Sequence, residues 1–88
     1  MSLAASIAAY EAAPSDPVAK LALIELADWA DEAGRAPVVI SHIARFATVS
    51  ERQAERAIVL LEREGFIHLL EPDGRGRVIA VFAAVRAS

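Results

Sequence analysis

The stretch SERQAER carries side chains that suit contacts with a nucleic acid. Arginine can donate two parallel hydrogen bonds to guanine, glutamine can pair with adenine, and a serine hydroxyl can bind a phosphate. Arg52, Gln53 and Arg56 are therefore candidate contacts to bases or phosphates, and the candidate contact to a phosphate alone is Ser50. Glu55 lies between the two arginines. Three roles are open to it: it could accept from a cytosine amino group, orient an arginine, or mark a surface that never meets DNA.

Three more arginines are candidate contacts to DNA, namely Arg45, Arg75 and Arg77. Arg75 and Arg77 alternate with Gly74 and Gly76, which would let the backbone come close to a duplex. A simpler interpretation also stands, in which the arginines and glutamates of SERQAER form a solvent-exposed face with neighbours four residues apart. In that case Arg45 is an ordinary exposed arginine.

Residue types for catalysis or metal binding are sparse. The chain has no cysteine, which excludes disulfides and thiolate metal sites. His42 and His68 have no cysteine or acidic partner at the spacing of metal ligands. No nucleophile–base arrangement and no glycine-rich loop opening a helix is present. We expect no enzymatic activity, no metal and no cofactor.

Charge is distributed unevenly along the 88 residues. The net charge of −3 disfavours nucleic-acid binding, but residues 1–34 alone carry a balance of −5. Residues 35–77 hold seven arginines against six acids, so an anionic partner would meet the middle of the chain. The N-terminus lacks the basic region of a signal peptide, and no apolar run is long enough to span a membrane. We expect one soluble, cytoplasmic domain.

Residues 1–13 predict a short N-terminal helix. Leu3, Ile7 and Tyr10 recur at helical spacing and form a narrow apolar stripe on it. The sequence PSDP then breaks the helix. The stripe is a possible contact between copies of the chain.

A second, longer helix follows. Asp16 is a suitable N-cap, and Pro17 at the first helical position needs no hydrogen-bond partner for its nitrogen. The helix should run to about Ala33 and end at Gly34 in a left-handed C-terminal cap. Its apolar residues lie on more than one side, so we expect it to be buried between two neighbours, with Trp29 as a core anchor.

The segment RAPVVI predicts a short strand or extended link, because Pro37 and the β-branched residues disfavour a helix. Ser41 would cap a short helix, HIARFA. Its inward-facing residues are predicted to be Ile43, Ala44 and Ala47. The sequence TVS would form the turn to the next helix.

That next helix has the clearest boundary signals. Ser50 and Gln53 form a capping-box pattern, so the helix begins at Glu51, and Gly65 supplies its C-terminal cap. Its inward-facing residues are predicted to be Ala54, Ala57, Ile58 and Leu61. The segments FIHLL and RVIAVF then predict two strands joined by EPDGRG, whose proline, aspartate and glycines suit a hairpin turn.

A helix, a tight turn, a second amphipathic helix and a hairpin form the layout of a winged helix-turn-helix. Residues 21–67, LALIELADWADEAGRAPVVISHIARFATVSERQAERAIVLLEREGFI, resemble the winged helix-turn-helix domains of small bacterial and phage regulators and replication-initiation proteins. The matching motifs are LADWADEAG, IARFATVSERQAERAI and LLEREGFI. The resemblance implies a mainly α fold with a small β-hairpin (α+β) and an extra N-terminal helix. It also implies a DNA-binding domain over residues 17–85, with a recognition helix at about 51–64 and a wing at about 66–83.

Two places depart from the family pattern. The turn position that usually holds glycine is Thr48, and a β-branched residue is poorly suited to a left-handed conformation. The turn is therefore expected to be longer or of another type. Val59 and Leu60 extend the apolar stripe where the family more often has polar or basic residues. The N-terminal helix or a second subunit is expected to cover at least one of them.

The predicted function is sequence-specific binding of double-stranded DNA by a recognition helix in the major groove plus an arginine-containing wing. This is the activity of a transcriptional regulator of phage or bacterial type. The alternative is a winged-helix module for protein–protein contact, such as an adaptor or antirepressor. The acidic first third and the glutamates of the recognition helix favour that alternative.

A homodimer is predicted from three features. Apolar residues make up 56% of a short chain, Val59 and Leu60 point outward, and VIAVFAAV is apolar on both faces. The stripe of Leu3, Ile7 and Tyr10 is a further candidate interface. A twofold dimer would present two recognition helices to a pseudo-palindromic site.

Overall fold

The computed structural model describes residues 2–86; Met1, the start of the predicted N-terminal segment, lies outside them. Within this range helices predominate and three short strands form one antiparallel sheet, which confirms a mainly helical α+β fold. The order of elements is as predicted up to the last strand. A short helix that the sequence patterns do not indicate follows it. The elements are α1 (Leu3–Glu11), α2 (Pro17–Trp29), β1 (Arg35–Pro37), α3 (Ile40–Ala47), α4 (Glu51–Arg63), β2 (Ile67–Leu69), β3 (Ile79–Phe82) and α5 (Ala83–Arg86).

Helix α2 lies at the centre of the fold, in contact with α1, α3, α4 and β1. It begins as predicted: the Asp16 carboxylate accepts from the N–H of Ala19 at 3.1 Å, and Pro17 occupies the first turn. Its contacts with four other elements confirm that it packs between neighbours, and its small and aliphatic buried residues form one broad face at helical spacing. These residues are Ala19, Ala22, Leu23, Leu26 and Ala27.

Helix α2 ends at Trp29, earlier than predicted. The prediction that it runs to Ala33 is wrong because the Asp31 side chain forms a turn of its own. One Asp31 oxygen accepts from the N–H groups of Ala33 and Arg35, both at 3.0 Å. Such side-chain bonds to the backbone compete with helix formation. Gly34 is left-handed as predicted, with φ of 75°, but it belongs to this turn and not to the helix end.

The same turn geometry occurs again in the loop between β2 and β3. The sequences DEAGR, residues 31–35, and DGRGR, residues 73–77, share aspartate, glycine and arginine at the first, fourth and fifth positions. In each turn the glycine is left-handed, and its N–H donates to the aspartate carbonyl oxygen at 2.9 Å. In each, a carboxylate oxygen of the aspartate accepts from the N–H of the arginine, at 3.0 Å and 2.9 Å. The pattern D-x-x-G-R therefore marks a tight turn closed by its own aspartate.

Helix α3 begins at Ile40, with Val39 at the N-cap position and no side-chain cap. Ser41 lies inside the first turn, so the prediction that it caps this helix is wrong. The buried residues are the predicted ones, Ile43, Ala44 and Ala47.

Thr48 forms the turn between α3 and α4 in a left-handed conformation, with φ of 55° and ψ of 46°. The expectation of a longer or different turn is therefore wrong. The N–H of Val49 donates to the carbonyl oxygen of Ala44 at 3.0 Å, and the N–H of Thr48 donates to that of Arg45 at 3.3 Å. This pair of bonds is the usual way in which a left-handed glycine ends a helix. Threonine takes the glycine position, at a conformational cost.

Helix α4 has the boundaries that its capping signals predict. The Ser50 hydroxyl accepts from the N–H of Gln53 at 3.1 Å, and the Gln53 amide oxygen accepts from the N–H of Ser50 at 3.0 Å. At the other end Gly65 is left-handed, with φ of 85°. The N–H of Phe66 donates to the carbonyl oxygen of Leu61 at 2.9 Å, which closes the C-terminal cap.

Strand β3 is the central strand of the sheet, with β1 and β2 paired antiparallel on its two edges. Ala80 and Phe82 alternate with Val81, and all three side chains are buried. Pairing on both edges and burial on both faces within one chain explain the continuous apolar sequence of this strand. The final strand therefore no longer argues for a second subunit.

Helix α1 packs against α2, and its buried side chains are Ala5 and Ala9. The apolar stripe lies on the exposed side: Leu3, Ile7 and Tyr10 are 76%, 49% and 70% exposed. Alanine at the contact lets two helix backbones approach closely, so the larger residues are left to face outward. The stripe is available for contact with another molecule.

Lys20 of α2 holds the end of α1 in place. Its ammonium group donates to the carbonyl oxygens of Ala9, Tyr10 and Ala12 at 2.7, 2.7 and 2.6 Å. These carbonyls lie at the carboxyl end of α1, where a helix has unpaired acceptors and a partial negative charge. The chain's single lysine thus serves as a side-chain cap for another helix.

Trp29 lies on the surface and not in the core. It is 53% exposed and stacks on His42, with ring centroids 5.5 Å apart and an angle of 28° between the ring planes. The prediction that it anchors the core is wrong, because α2 ends there and the fully buried position is that of the next residue, Ala30. The stack joins the end of α2 to the first half of α3.

Candidate nucleic-acid interface

Helix α4 and its N-cap residue carry four of the seven side chains predicted to contact DNA. The helix packs against α2 and α3. Its buried residues are the predicted ones, Ala54, Ala57, Ile58 and Leu61. Because they follow the helical repeat, the opposite face points away from the core. Arg52, Gln53, Glu55 and Arg56 all lie on that exposed side.

A shallow surface depression of about 450 Å³ runs along this face, and we call it the α4 depression. Its lining residues are Arg52, Glu55, Arg56, Val59, Leu60 and Arg63. Leu60 is half-buried against the core, so this chain itself covers one of the two outward apolar residues. Val59 is 53% exposed and has no such cover. The depression therefore combines three guanidinium groups with two apolar side chains and one acidic side chain.

The arginines of the α4 depression are not neutralised by the protein. Within residues 2–86, Arg52, Arg56 and Arg63 make no contact of 4.0 Å or less between a guanidinium nitrogen and a carboxylate oxygen. Arg45, exposed on α3, makes none either in the same range. A guanidinium without an internal partner keeps all its donors for an external acceptor.

The glutamates at the end of α4 have partners in other parts of the fold. A Glu62 oxygen accepts from the N–H of Leu69 at 2.9 Å, which joins α4 to β2. The Glu64 carboxylate accepts from the N–H of Ser15 at 3.0 Å and from the hydroxyl of the same serine. The serine hydroxyl, and after it the serine N–H, holds the pKa of Glu64 below its usual value. Glu51 lies in the first turn, where a negative charge favours the helix.

The capping box engages two of the predicted DNA contacts. The Ser50 hydroxyl accepts from the Gln53 N–H and lies 3.2 Å from the Gln53 amide oxygen, to which it donates. Recognition of adenine needs both the oxygen and the nitrogen of a glutamine amide. The oxygen of Gln53 is already bonded, so its NH₂ group is the part that remains free to donate to a phosphate.

The two arginines of the loop between β2 and β3, residues 70–78, differ in their bonds to the protein. Asp73 accepts from the N–H groups of Arg75 and Arg77 at 2.8 and 2.9 Å, and its other oxygen pairs with Nε of Arg77 at 3.0 Å. These bonds, chiefly the one from the Arg77 N–H, lower the pKa of Asp73. Arg75 has no ion-pair partner among the described residues, whereas the charge of Arg77 is partly neutralised by Asp73, which engages its Nε and leaves its Nη donors free.

Some of the surface lies outside the predicted site. Phe46, beside Arg45 near the end of α3, is 46% exposed. It lines a second depression of about 310 Å³ between α1, α2 and α3, together with Tyr10. Phe46 falls outside the buried stripe of α3, and this spacing is the signal that marks it as exposed. Arg45 and Arg75 do not line the α4 depression, so three separate elements carry the predicted contacts.

Neither histidine belongs to a cluster of potential metal ligands. His42 stacks on Trp29, and His68 is exposed on β2. Over the described range, 2–86, the structure brings together no group of three histidine or acidic side chains able to hold a metal ion. None of the helices in this range has the length and apolar character needed to cross a bilayer.

Comparison of the chain with protein-family models, with curated proteins and with solved structures gave no match. The candidate interface is therefore defined by the geometry and charge of the chain's own residues.

Proposed function

We propose that this protein binds double-stranded DNA as a winged helix-turn-helix, with α4 in the major groove, and acts as a transcriptional regulator of phage or bacterial type. The observation that carries the proposal is the pair Arg52 and Arg56. Both lie on the exposed face of a well-capped helix and have no internal ion-pair partner among the described residues. Two guanidinium groups that lie one helical turn apart and have no internal ion-pair partner can donate hydrogen bonds to phosphates or to the edges of guanine bases.

The arrangement of elements supports this use of α4. A tight turn at Thr48 joins α3 to α4, and both helices pack against α2. A helix of 13 residues is about 20 Å long and 10–12 Å wide, which fits a major groove about 12 Å across. The three-stranded sheet follows, and its β2–β3 loop projects Arg75 as a backbone contact.

The remaining candidates have distinct parts in the proposed complex. Arg45 on α3 would contact the phosphate backbone beside the groove. Ser50 and Gln53 would hold the start of α4 in shape, with the Gln53 NH₂ group donating to a phosphate. Arg77 would contribute less than Arg75, because Asp73 neutralises part of its charge.

A twofold dimer would place two α4 helices on one duplex. The exposed stripe of Leu3, Ile7 and Tyr10 is the surface that we assign to the contact between copies. Val59 is exposed but lies among the arginines of the α4 depression, so it belongs to the DNA side of the proposal. Leu60 is partly covered by its own chain and contributes little to either surface.

The test is duplex binding measured by fluorescence anisotropy over a series of salt concentrations. The affinity of the wild type should fall steeply with salt, and each lost phosphate contact should reduce the slope by about 0.9. Arg52→Ala combined with Arg56→Ala should abolish binding at moderate salt. Arg35→Ala is the matched control, because Arg35 is exposed and already paired with Asp31 at 3.4 Å. Absence of wild-type binding to any duplex at low salt would overturn the proposal.

The dimer is tested separately by light scattering. A mass near twice 9.4 kDa at micromolar concentration is expected, and Tyr10→Ser should return it to the monomer value. A wild-type mass of 9.4 kDa under these conditions contradicts the dimer.

The alternative function is a winged-helix module for protein–protein contact. The exposed Val59 among the charged residues of the α4 depression is the observation that favours it. In that case Val59→Ser would weaken the partner complex, and the protein would show no retention on heparin at low salt. If the wild type is retained on heparin and the double variant Arg52→Ala, Arg56→Ala is not, the result favours DNA binding over protein–protein contact.

A further inference from the structure

We propose that Glu55 determines base specificity by accepting a hydrogen bond from the N4 amino group of a cytosine in the major groove. This inference rests on the proposed function, because it requires α4 to lie in that groove. It concerns a residue whose charge would otherwise count against DNA binding.

The other glutamates of this part of the chain have identifiable roles within the protein. Glu62 binds the N–H of Leu69, and Glu64 binds Ser15. Glu51 lies in the first turn of α4. Glu55 has no such role: within residues 2–86 its carboxylate takes part in no hydrogen bond and no ion pair.

The position of Glu55 also excludes one of its possible roles. It lines the α4 depression together with Arg52 and Arg56, yet neither guanidinium comes within 4.0 Å of its carboxylate oxygens. Glu55 therefore does not orient either arginine in this structure. Its carboxylate is exposed and free to meet an external donor.

Only certain groups of a DNA duplex can donate a hydrogen bond to the Glu55 carboxylate. A carboxylate facing the phosphate backbone is repelled, so Glu55 is compatible with the complex only where it faces base edges. In the major groove the hydrogen-bond donors are N4 of cytosine and N6 of adenine. Adenine also presents the N7 acceptor beside its donor, which a carboxylate cannot satisfy. Cytosine presents only the donor, and it is the base that fits.

The positions of the neighbouring arginines Arg52 and Arg56 predict a second base of the DNA half-site. The rise between Arg52 and Arg56 is about 6 Å along the helix, close to two base-pair steps. Arginine forms its most specific contact with guanine. The half-site should therefore contain a cytosine within about two base pairs of a guanine.

The experiment is selection of bound sequences from a random duplex pool, carried out with the wild type, Glu55→Gln, Glu55→Ala and Glu51→Gln. The wild type should enrich a cytosine at one position. Glu55→Gln should change that preference to adenine, because an amide supplies both the acceptor and the donor that adenine requires. Glu55→Ala should lose discrimination at that position by about 5- to 150-fold while binding random duplex more tightly. Glu51→Gln removes the same charge from the same helix and should leave every base preference unchanged.

The two proposals fail in different ways. Wild-type preferences that persist at every position in Glu55→Ala and Glu55→Gln overturn the role of Glu55 and leave DNA binding intact. No binding of the wild type to any duplex at low salt overturns both. Because Glu55 is exposed and has no internal partner, both variants should keep the wild-type circular dichroism spectrum and melting curve.

Discussion

The Glu64 carboxylate accepts two hydrogen bonds from Ser15, one from the backbone N–H at 3.0 Å and one from the hydroxyl. Ser15 lies between α1 and α2, and Glu64 is the C-cap residue of α4. A single carboxylate thus joins two segments that are 49 residues apart in sequence. This contact is a consequence of the tertiary fold, and it makes stability depend on the ionisation of one exposed acid.

Replacement of Glu64 by glutamine should flatten the acid side of the stability curve. Ser15 lowers the folded-state pKa of Glu64 below its usual 4.5, so the contact stabilises the fold above that pH and is lost as pH falls through the lowered pKa. Urea unfolding between pH 7 and pH 3 measures this. The wild type should lose free energy of unfolding more steeply below pH 4.5 than Glu64→Gln does. Some slope should remain, because turn hydrogen bonds also lower the pKa of Asp31 and Asp73.

Glu71→Gln is the control for this measurement, since Glu71 is exposed and its side chain makes no hydrogen bond to the described residues. It should keep the acid limb of the wild type. Identical slopes for the wild type and Glu64→Gln would contradict the role given to the Ser15 contact.

Replacement of Lys20 by methionine should destabilise the protein by about 1.5–3 kcal/mol, the range for hydrogen bonds to a charged group. The change leaves the carbonyl oxygens at the end of α1 without their donor. Hydrogen exchange should show the largest loss of protection in α1. Lys20→Arg should recover only part of the stability, because a planar guanidinium cannot place its donors as an ammonium does. Unchanged protection of α1 in Lys20→Met would refute the capping role.

Replacement of Thr48 by glycine should stabilise the protein by about 1 kcal/mol. A β-branched residue in the left-handed region carries a steric cost of about 1–2 kcal/mol, which glycine avoids at the expense of some entropy in the unfolded chain. The measurement is the urea midpoint. Thr48→Ala is the informative control, because it keeps the strain and removes the bond from the Thr48 hydroxyl to the Ala47 carbonyl oxygen at 2.6 Å. A loss of stability in Thr48→Gly would show that this bond outweighs the strain.

The two D-x-x-G-R turns offer a matched pair of glycine substitutions. Gly34 and Gly76 have nearly the same φ, 75° and 76°, but different surroundings. A Cβ on Gly34 would lie 2.7 Å from Cβ of Val85, whereas a Cβ on Gly76 would have nothing within 4 Å. Gly76→Ala should therefore cost about 1–2 kcal/mol for the backbone conformation alone. Gly34→Ala should cost about 1–3 kcal/mol more because α5 must move. Equal losses in thermal denaturation would contradict this steric argument.

The sequence predicts the parts of the fold that local chemistry decides. The capping box of Ser50 and Gln53 and the left-handed Gly65 fix both ends of α4, and the structure confirms them. The inward faces of α3 and α4 follow from the 3.6-residue period. Prediction from the sequence fails where a side chain takes the backbone N–H groups that would otherwise form helical hydrogen bonds, as Asp31 does at the end of α2.

Other features depend on contacts between distant segments and leave no local signal. Glu64 meets Ser15, and Lys20 reaches the end of α1, only after the helices have packed. Strand β3 pairs with β1 on one edge and with β2 on the other, and its sequence, which is apolar on both faces, does not specify this central place in the sheet. At the candidate site, the exposure of Arg52 and Arg56 follows from the helical period, but the bonds of Gln53 to Ser50 and of Arg77 to Asp73 depend on side-chain rotamers that the sequence does not specify.

Trp29 is the only tryptophan of the chain, and its ring stacks on His42 at the junction of α2 and α3. Its intrinsic fluorescence therefore reports the packing of that junction. It does not line the α4 depression, so we expect an occupant of that face to leave the emission spectrum unchanged and unfolding to shift it. One spectroscopic signal can thus separate variants that lose a ligand from variants that lose their structure.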